Sequence, residues 1–288
     1  MAKKLLQLFP QSFNKQDQIL ELKNLYLYKH GWHSANTKQP IVAANFLSSL
    51  DGRIAISPDA NSSAELPKSL TSQEDFRLFL ELHAQADCLI THGGYMRSLA
   101  EQKLGNILQL PNNKDCEDLY NWRALQGLSP HPALVIASSS LDFPIHPSLK
   151  EHKQQVYIAT GQQTDSDKIK KWQDDGYEVL IAGTSHAVEG KPLIESLADK
   201  NYKHFYLIAG PKMLHTMIDD QQLSKLYLSY SHQLVGGEFF RTKLDGPVLS
   251  SPKLELNSLF YDEASENKHG QFFSSYTCNY NNNRKPHD

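Results

Sequence analysis

The sequence predicts an α/β protein with a mostly parallel central sheet flanked by helices and antiparallel strands at its C-terminal edge. Three observations lead there. Short apolar runs at 41–46, 88–91, 133–137, 156–159, 178–181 and 204–209 alternate with stretches of helical periodicity, and strands separated by helices imply crossovers and parallel pairing. The run at 41–46 is apolar at successive positions, as in a strand covered on both faces. Late in the chain, a strand pattern ending in Gly236-Gly237 and a closing strand at 271–280 read as antiparallel edge structure.

The chain has 288 residues, enough for one large domain or two small ones with a sizeable core. A formal net charge of -3 gives no global pull toward nucleic acid or anionic membrane, so phosphate binding has to be local. Cys88, Cys116 and Cys278 form no Cys-x-x-Cys pair, which argues against a disulfide framework or structural zinc and for a reducing compartment. Pro10, Gln11, Asn14 and Lys15 cut the first apolar run short of a signal peptide, and no stretch approaches the roughly 20 apolar residues of a membrane span. The expected location is cytoplasmic.

Taken in order, residues 16–29 place Ile19, Leu20, Leu22, Leu25, Tyr26 and Leu27 at roughly helical spacing, and 31–39 reads as a polar linker. This divides the chain into an N-terminal helical extension at 1–38, a main domain at 39–280 and a disordered polar tail at 281–288. In 41–56, polar groups gather at Asn45, Ser48, Ser49 and Asp51 where the first strand ends, and Gly52 releases the backbone before a second apolar run. Asp-Gly between two apolar runs is a hairpin signal. Polar groups at the C-terminal end of a buried strand also mark the place where open α/β sheets bind ligands.

Residues 57–67 read as a loop beside that place, and Thr71 or Ser72 as the N-cap of a helix to about 85, with Glu74 and Asp75 in its first turn. The strand at 88–91 runs through His92-Gly93-Gly94 into a helix to about 104. A strand, a glycine turn and a helix start form a phosphate cradle, because glycine lets backbone approach the anion and free amides face it. The polar segment 105–132 holds a short helix, with Tyr120 and Trp122 expected to pack. Helices are expected at 165–174 and 192–200.

The string from Asn45 to Ala55, Asn-x-x-x-Ser-Leu-Asp-Gly-Arg-Ile-Ala, resembles the opening signature of the pyrimidine reductases of riboflavin biosynthesis. These are NADPH-dependent enzymes of the dihydrofolate-reductase-like fold, often the C-terminal half of a bifunctional deaminase-reductase. Leu70 to Arg77 resembles that family's Ile-Thr-Ser helix entry. Residues 91–95 stand where the family has Gly-x-Gly-Thr-Val, with Gly94 in place of the Thr and Ser98 in place of a downstream Asp. Gly210-Pro211 matches its Glu-Gly-Gly-Pro-Thr-Leu segment, while Ile208 replaces the Glu and Ala209 the first Gly. The zinc ligands of the deaminase half are missing.

The resemblance implies a reductase domain that transfers hydride from NADPH to a phosphoribosylamino-pyrimidine, whose ribose is reduced to a ribityl chain through an opened, imine-like form. It implies that Asp51 holds the substrate and stabilises a developing cation or relays a proton. Asn45 and Ser49 would bond the heterocycle or sugar, and Arg53 a phosphate. Gly93, Gly94, Gly210 and Pro211 would form the cofactor cradle, with Thr71, Ser72, His92, Thr160 and Lys212 around it. The family also pairs subunits through strands near the C-terminus, so a homodimer is expected, with a small heterocycle as substrate and no metal. The departures leave two alternatives: the same fold and cofactor with another pterin-like or carbonyl substrate, or a non-catalytic nucleotide-binding protein.

Overall fold

The structure is a computed structural model that describes residues 4–12, 14–33, 39–60, 62, 64–249, 252–263 and 269–280. Its first part holds β1 (Lys4–Phe9), β2 (Ile19–Glu21), β3 (Ile41–Ser49), β4 (Ala55–Ser57), α1 (Gln73–Gln85), β5 (Cys88–His92), α2 (Gly93–Ala100) and α3 (Glu117–Leu125). The middle holds β6 (Ala133–Ala137), α4 (Pro147–Glu151), β7 (Val156–Thr160), α5 (Ser166–Asp174), β8 (Glu178–Ile181), α6 (Gly190–Ala198), β9 (His204–Leu207) and α7 (Pro211–Asp219). The last part holds β10 (Leu223–Ser231), β11 (Phe239–Arg241), β12 (Lys253–Asp262) and β13 (Gln271–Asn279).

Among the described residues, eleven strands form one sheet in the order β2-β1-β12-β13-β10-β3-β9-β5-β6-β7-β8. Every pairing from β10 to β8 is parallel, and the β10–β13, β13–β12, β12–β1 and β1–β2 pairings are antiparallel. This is the α/β architecture expected from the alternation of strands and helices.

The central strands are apolar throughout because both faces are covered. On β3, Val42, Ala44 and Phe46 pack with Leu193 and Leu197 of α6 and Leu214 and Met217 of α7. Ala43 on the other face packs with Leu78 and Leu82 of α1 and Met96 and Leu99 of α2. Side chains alternate along a strand, so each strand serves two cores at once.

Two local expectations change. The Asp-Gly turn after β3 does not make a hairpin of β3 with β4. Gly52 takes φ 84° and its amide bonds Ser49 O (3.0 Å), but β4 then pairs with β11. The helix expected to run to 104 stops at Ala100, where Gln102 enters the left-handed region at φ 58° and Lys103 N bonds back to Ser98 O.

The largest difference lies in residues 16–29, where no α-helix forms. A 3-10 turn (Lys15–Gln18), strand β2 and a π-helical turn (Leu25–Lys29) take its place, and β1 adds to the sheet beside β12. Leu5, Leu22, Leu25, Tyr26 and Trp32 are buried in the core under α1, so this segment is part of the main fold.

The reason is side-chain competition for the backbone. Glu81 on α1 accepts from the Asn24 and Tyr26 amides (2.5 and 2.8 Å). Gln85, one turn further, accepts from the Trp32 and His33 amides and donates to Tyr26 O (2.9 Å). Buried amides must be paired, and here two polar side chains of α1 do what helix hydrogen bonds would otherwise do. Residues 34–38 and the tail at 281–288 lie outside the described residues. Gln85→Leu keeps the volume but removes the Gln85 partner of the buried Trp32 amide and Tyr26 carbonyl and of the half-buried His33 amide. It is expected to lower unfolding free energy by about 3 kcal/mol, read as a reduced urea midpoint with an unchanged slope.

Candidate active site

The C-terminal ends of β5 and β9, neighbouring parallel strands with Ile90 opposite Leu207, feed directly into α2 and α7. Two helix N-termini therefore open side by side. His92 is the N-cap of α2: its Nδ1 accepts from Tyr95 N (3.3 Å), which leaves the proton of the neutral ring on Nε2. Burial, with Arg97 nearby, lowers the His92 pKa and keeps the ring neutral. Gly210 caps α7 and Pro211 follows at its first position, where a missing N–H costs nothing. A side chain on Gly210 would meet only His92 Nε2, at 3.8 Å, so it would project into open space. That space is a cavity of about 730 Å³ lined by His92, Gly94, Gly210, Pro211 and Lys212, with Ser138 and Ser139 following β6 and Arg241 from β11.

Gly94 is required by His92. A Cβ at 94 would lie 2.8 Å from His92 Nδ1, so a larger residue would displace the ring from its capping position. Gly93 lies behind the wall, where a Cβ would press on Phe143 (2.9 Å) and Ser138.

A second cavity of about 550 Å³ lies on the α1 side and is lined by Asn45, Leu47, Thr71, Ser72, Asp75, Phe76 and Phe79 among others. The segments 64–66 and 104–107 contribute to both cavities: Ala64 and Leu104 line the first, Leu66 and Ile107 the second. Ser72 is committed locally, because its hydroxyl accepts from Asp75 N (3.0 Å) as the helix cap and donates to Gln271 Oε1 (2.8 Å). Thr71 donates to Lys68 O (2.8 Å).

Asp51 sits at the turn between β3 and β4. Its Oδ1 accepts from the Ser49 hydroxyl and from Val235 N (3.2 Å), and its Oδ2 accepts from Gly236 N (2.7 Å). These bonds, the one from Ser49 foremost, lower its pKa to about 2. Arg53 folds back onto Asp51 O (3.0 Å) and Gly236 O (3.3 Å) with its guanidinium 3.6 Å from the centre of the Phe240 ring. Ser49, Asp51 and Arg53 thus form a clip between the β3–β4 turn and the 235–240 segment, and they line neither cavity.

The residues singled out in the sequence therefore divide. His92, Gly94, Gly210, Pro211 and Lys212 come together at the first cavity, while Asn45, Thr71 and Ser72 line the second. Thr160 is buried at the end of β7, bonded to the Thr164 hydroxyl (2.7 Å), and lines neither. Sequence reasoning missed Ser138 and Ser139, which a serine run directly after a buried strand could have disclosed. It also passed over Asp75 as a cavity residue, since an acidic residue in a first turn is ordinary. Among the described residues, no cluster of His, Cys, Asp and Glu could hold a metal.

A parallel sheet whose strand ends open onto glycine-lined helix starts is the arrangement in which open α/β folds bind nucleotides. Residues 40–263 match the RibD C-terminal domain, and the chain belongs to that family. A pyrimidine reductase-like protein of Corynebacterium diphtheriae is similar in fold, with a TM-score of 0.60 and 20% identity over 84% of this chain and 93% of its own. RibD of Acinetobacter baumannii follows at 0.58 and 14%, with 85% of this chain and 59% of its own covered. A deaminase/reductase of Thermotoga maritima gives 0.55 and 15%, covering 84% of this chain and 57% of its own. No curated protein matches the sequence.

The Asp51 clip has a pH signature. Its carboxyl titrates at about 2 in the folded protein against an ordinary 3.8. The stabilisation is therefore complete above 3.8 and is lost as pH falls from 3.8 through about 2. The stability gap between the wild type and Asp51→Ala is expected to narrow across that window in acid-unfolding curves, with no change between pH 5 and 8.

Proposed function

We propose that the chain is an NADPH-dependent reductase of a phosphoribosylamino-pyrimidine in riboflavin biosynthesis. The observation that carries this is the pair of helix N-termini converging on one cavity, in a chain of the RibD C-terminal domain family. The Thermotoga relative is described as a 5-amino-6-(5-phosphoribosylamino)uracil reductase, which supports the substrate class.

The residues at the first cavity fit a dinucleotide. Gly210 leaves open a cradle that a side chain would enter, and His92 presents an Nε2 proton toward it. Lys212 in the open first turn of α7 and Arg241 opposite supply positive charge for phosphate oxygens. When bound, the nicotinamide supplies the hydride. The chain's own residues bind, orient and exclude water. Ile54 and Ala55 line the wall, and the Asp51 clip fixes the turn that carries them. A carboxyl at about 2 holds no proton near neutrality, so Asp51 acts as a fixed anion that positions this wall rather than relaying a proton.

The three cysteines are all free and buried, which supports a cytoplasmic protein. No helix among the described residues is long and apolar enough to cross a membrane. A homodimer remains part of the proposal, but it cannot form by adding a strand to β12 or β13. β12 lies between β1 and β13, and β13 between β12 and β10, so contacts there would use the sheet face.

Titration with NADPH and NADH, followed by nicotinamide fluorescence, tests this reading. His92→Ala is expected to weaken NADPH binding about tenfold, the effect of one lost hydrogen bond in a shielded site. Asp51→Asn is expected to lower turnover more than nucleotide affinity, with the fold preserved in circular dichroism. Absence of binding by either nucleotide in the wild type would overturn the proposal.

A further inference from the structure

One wall of the first cavity hangs outside the sheet. After β11 the chain leaves regular structure at Thr242, and Asp245, Gly246 and Pro247 line the cavity together with His215 and Thr216 of α7. The start of this strap is fixed by β11, whose Arg241 O accepts from Ile54 N (3.0 Å) beside the wall residue Ala55. Its far end is held by α7, where His215 Nε2 lies 2.9 Å from Pro247 O. A carbonyl oxygen can only accept, so the ring donates from Nε2. Two residues on, Leu249 packs against the core that contains Leu214 and Met217.

The strap passes close to that imidazole. A Cβ at Gly246 would come within 2.6 Å of Cγ, Cδ2 and Nε2 of His215, so it takes a glycine for the backbone to lie against the ring. Residues 242 and 244–247 are exposed, and the Lys243 ammonium lies 4.9 Å from the centre of the Tyr230 ring. The one acid in the strap, Asp245, is paired with Arg241 (3.7 Å), which offsets its charge against a phosphate in the same cavity. An exposed segment without regular structure is held by few contacts, so the contact with His215 weighs heavily on where it lies.

We propose that residues 242–247 are the cover of the first cavity, and that His215 is the positioning residue that holds the cover in place through Pro247 O and the Gly246 backbone. The β11 end is the fixed end, because it is tied into the β4 pairing that carries the cavity wall. The Pro247 end is the one that lifts, because a single side chain of α7 holds its carbonyl and an exposed hydrogen bond breaks at little cost. A cover of this kind keeps water from the bound ligand and slows its escape. This inference rests on the reductase reading above for the identity of the ligand, but the position of the cover can be measured without any ligand.

The test is a double-mutant cycle on the full chain with two readouts, hydrogen exchange of the strap amides without nucleotide and the rate of NADPH dissociation. His215→Ala is expected to speed both about fivefold, the effect of one exposed hydrogen bond. Gly246→Ala pushes the strap off the same ring from the other side and is expected to do likewise. With the ring gone Gly246→Ala has room, so in the His215→Ala background it is expected to add less than about twofold. His215→Gln, whose side-chain amide can donate to the same carbonyl, is expected to bring both rates back to within about twofold of the wild type. A His215 that acted only by touching the nucleotide would leave strap exchange unchanged and make the two substitutions additive. Either result, or wild-type rates in His215→Ala, would overturn the proposal. The wild type decides even if a variant fails to fold, because NADPH is expected to slow strap exchange and an unchanged rate would overturn the cover. NADPH binding without coupling between 215 and 246 would sink the inference and leave the reductase reading standing. Coupling in strap exchange without NADPH binding would do the reverse.

Discussion

The site depends on the parallel register between β5 and β9. Cys88 lies opposite Phe205 and Ile90 opposite Leu207, and the Ile208 amide continues the ladder to Ile90 O (3.0 Å). β5 runs two residues past the Ile90–Leu207 pair, and His92 at its end faces the open space at Gly210, so α2 and α7 begin side by side. A one-residue slip would turn every side chain of a strand to the opposite face, and both faces here are packed cores. The same burial that makes these strands apolar therefore fixes the position of the cradle.

Around that register the molecule is divided by the sheet. One core carries α1 and α2, the other α6 and α7. The first cavity lies where strand ends open between helix starts, and the second lies between β3 and α1. The Asp51 clip joins the turn after β3 to the segment before β11, and so ties the cavity wall to the strand that supplies Arg241. Helix α1 has a double duty: its first turn contributes Asp75 to a cavity, and its last turns hold the N-terminal segment through Glu81 and Gln85.

Much of this was legible in the sequence for physical reasons. Strands such as Ala133–Ala137 are buried at every position, so a continuous apolar run was an adequate signal. Glycines beside a cradle were visible because few other residues fit there. Gly94 stands where the family resemblance led one to expect Thr, and His92 explains the change, because its ring occupies the space a side chain at 94 would need. The N-terminal segment was not legible. Its apolar spacing suited a helix, but its amides are claimed by Glu81 and Gln85, more than fifty positions away. The separation of Asp51 from both cavities was hidden too, since only the fold brings Val235 and Gly236 to its carboxylate.

The central claim is that the paired helix starts of α2 and α7 form a nucleotide site. Backbone amide NMR of the full chain, recorded with and without NADPH, tests it most directly. The account predicts that NADPH shifts the amides of Gly94, Gly210 and Lys212. NADPH leaving Gly94 and Gly210 unmoved would contradict it.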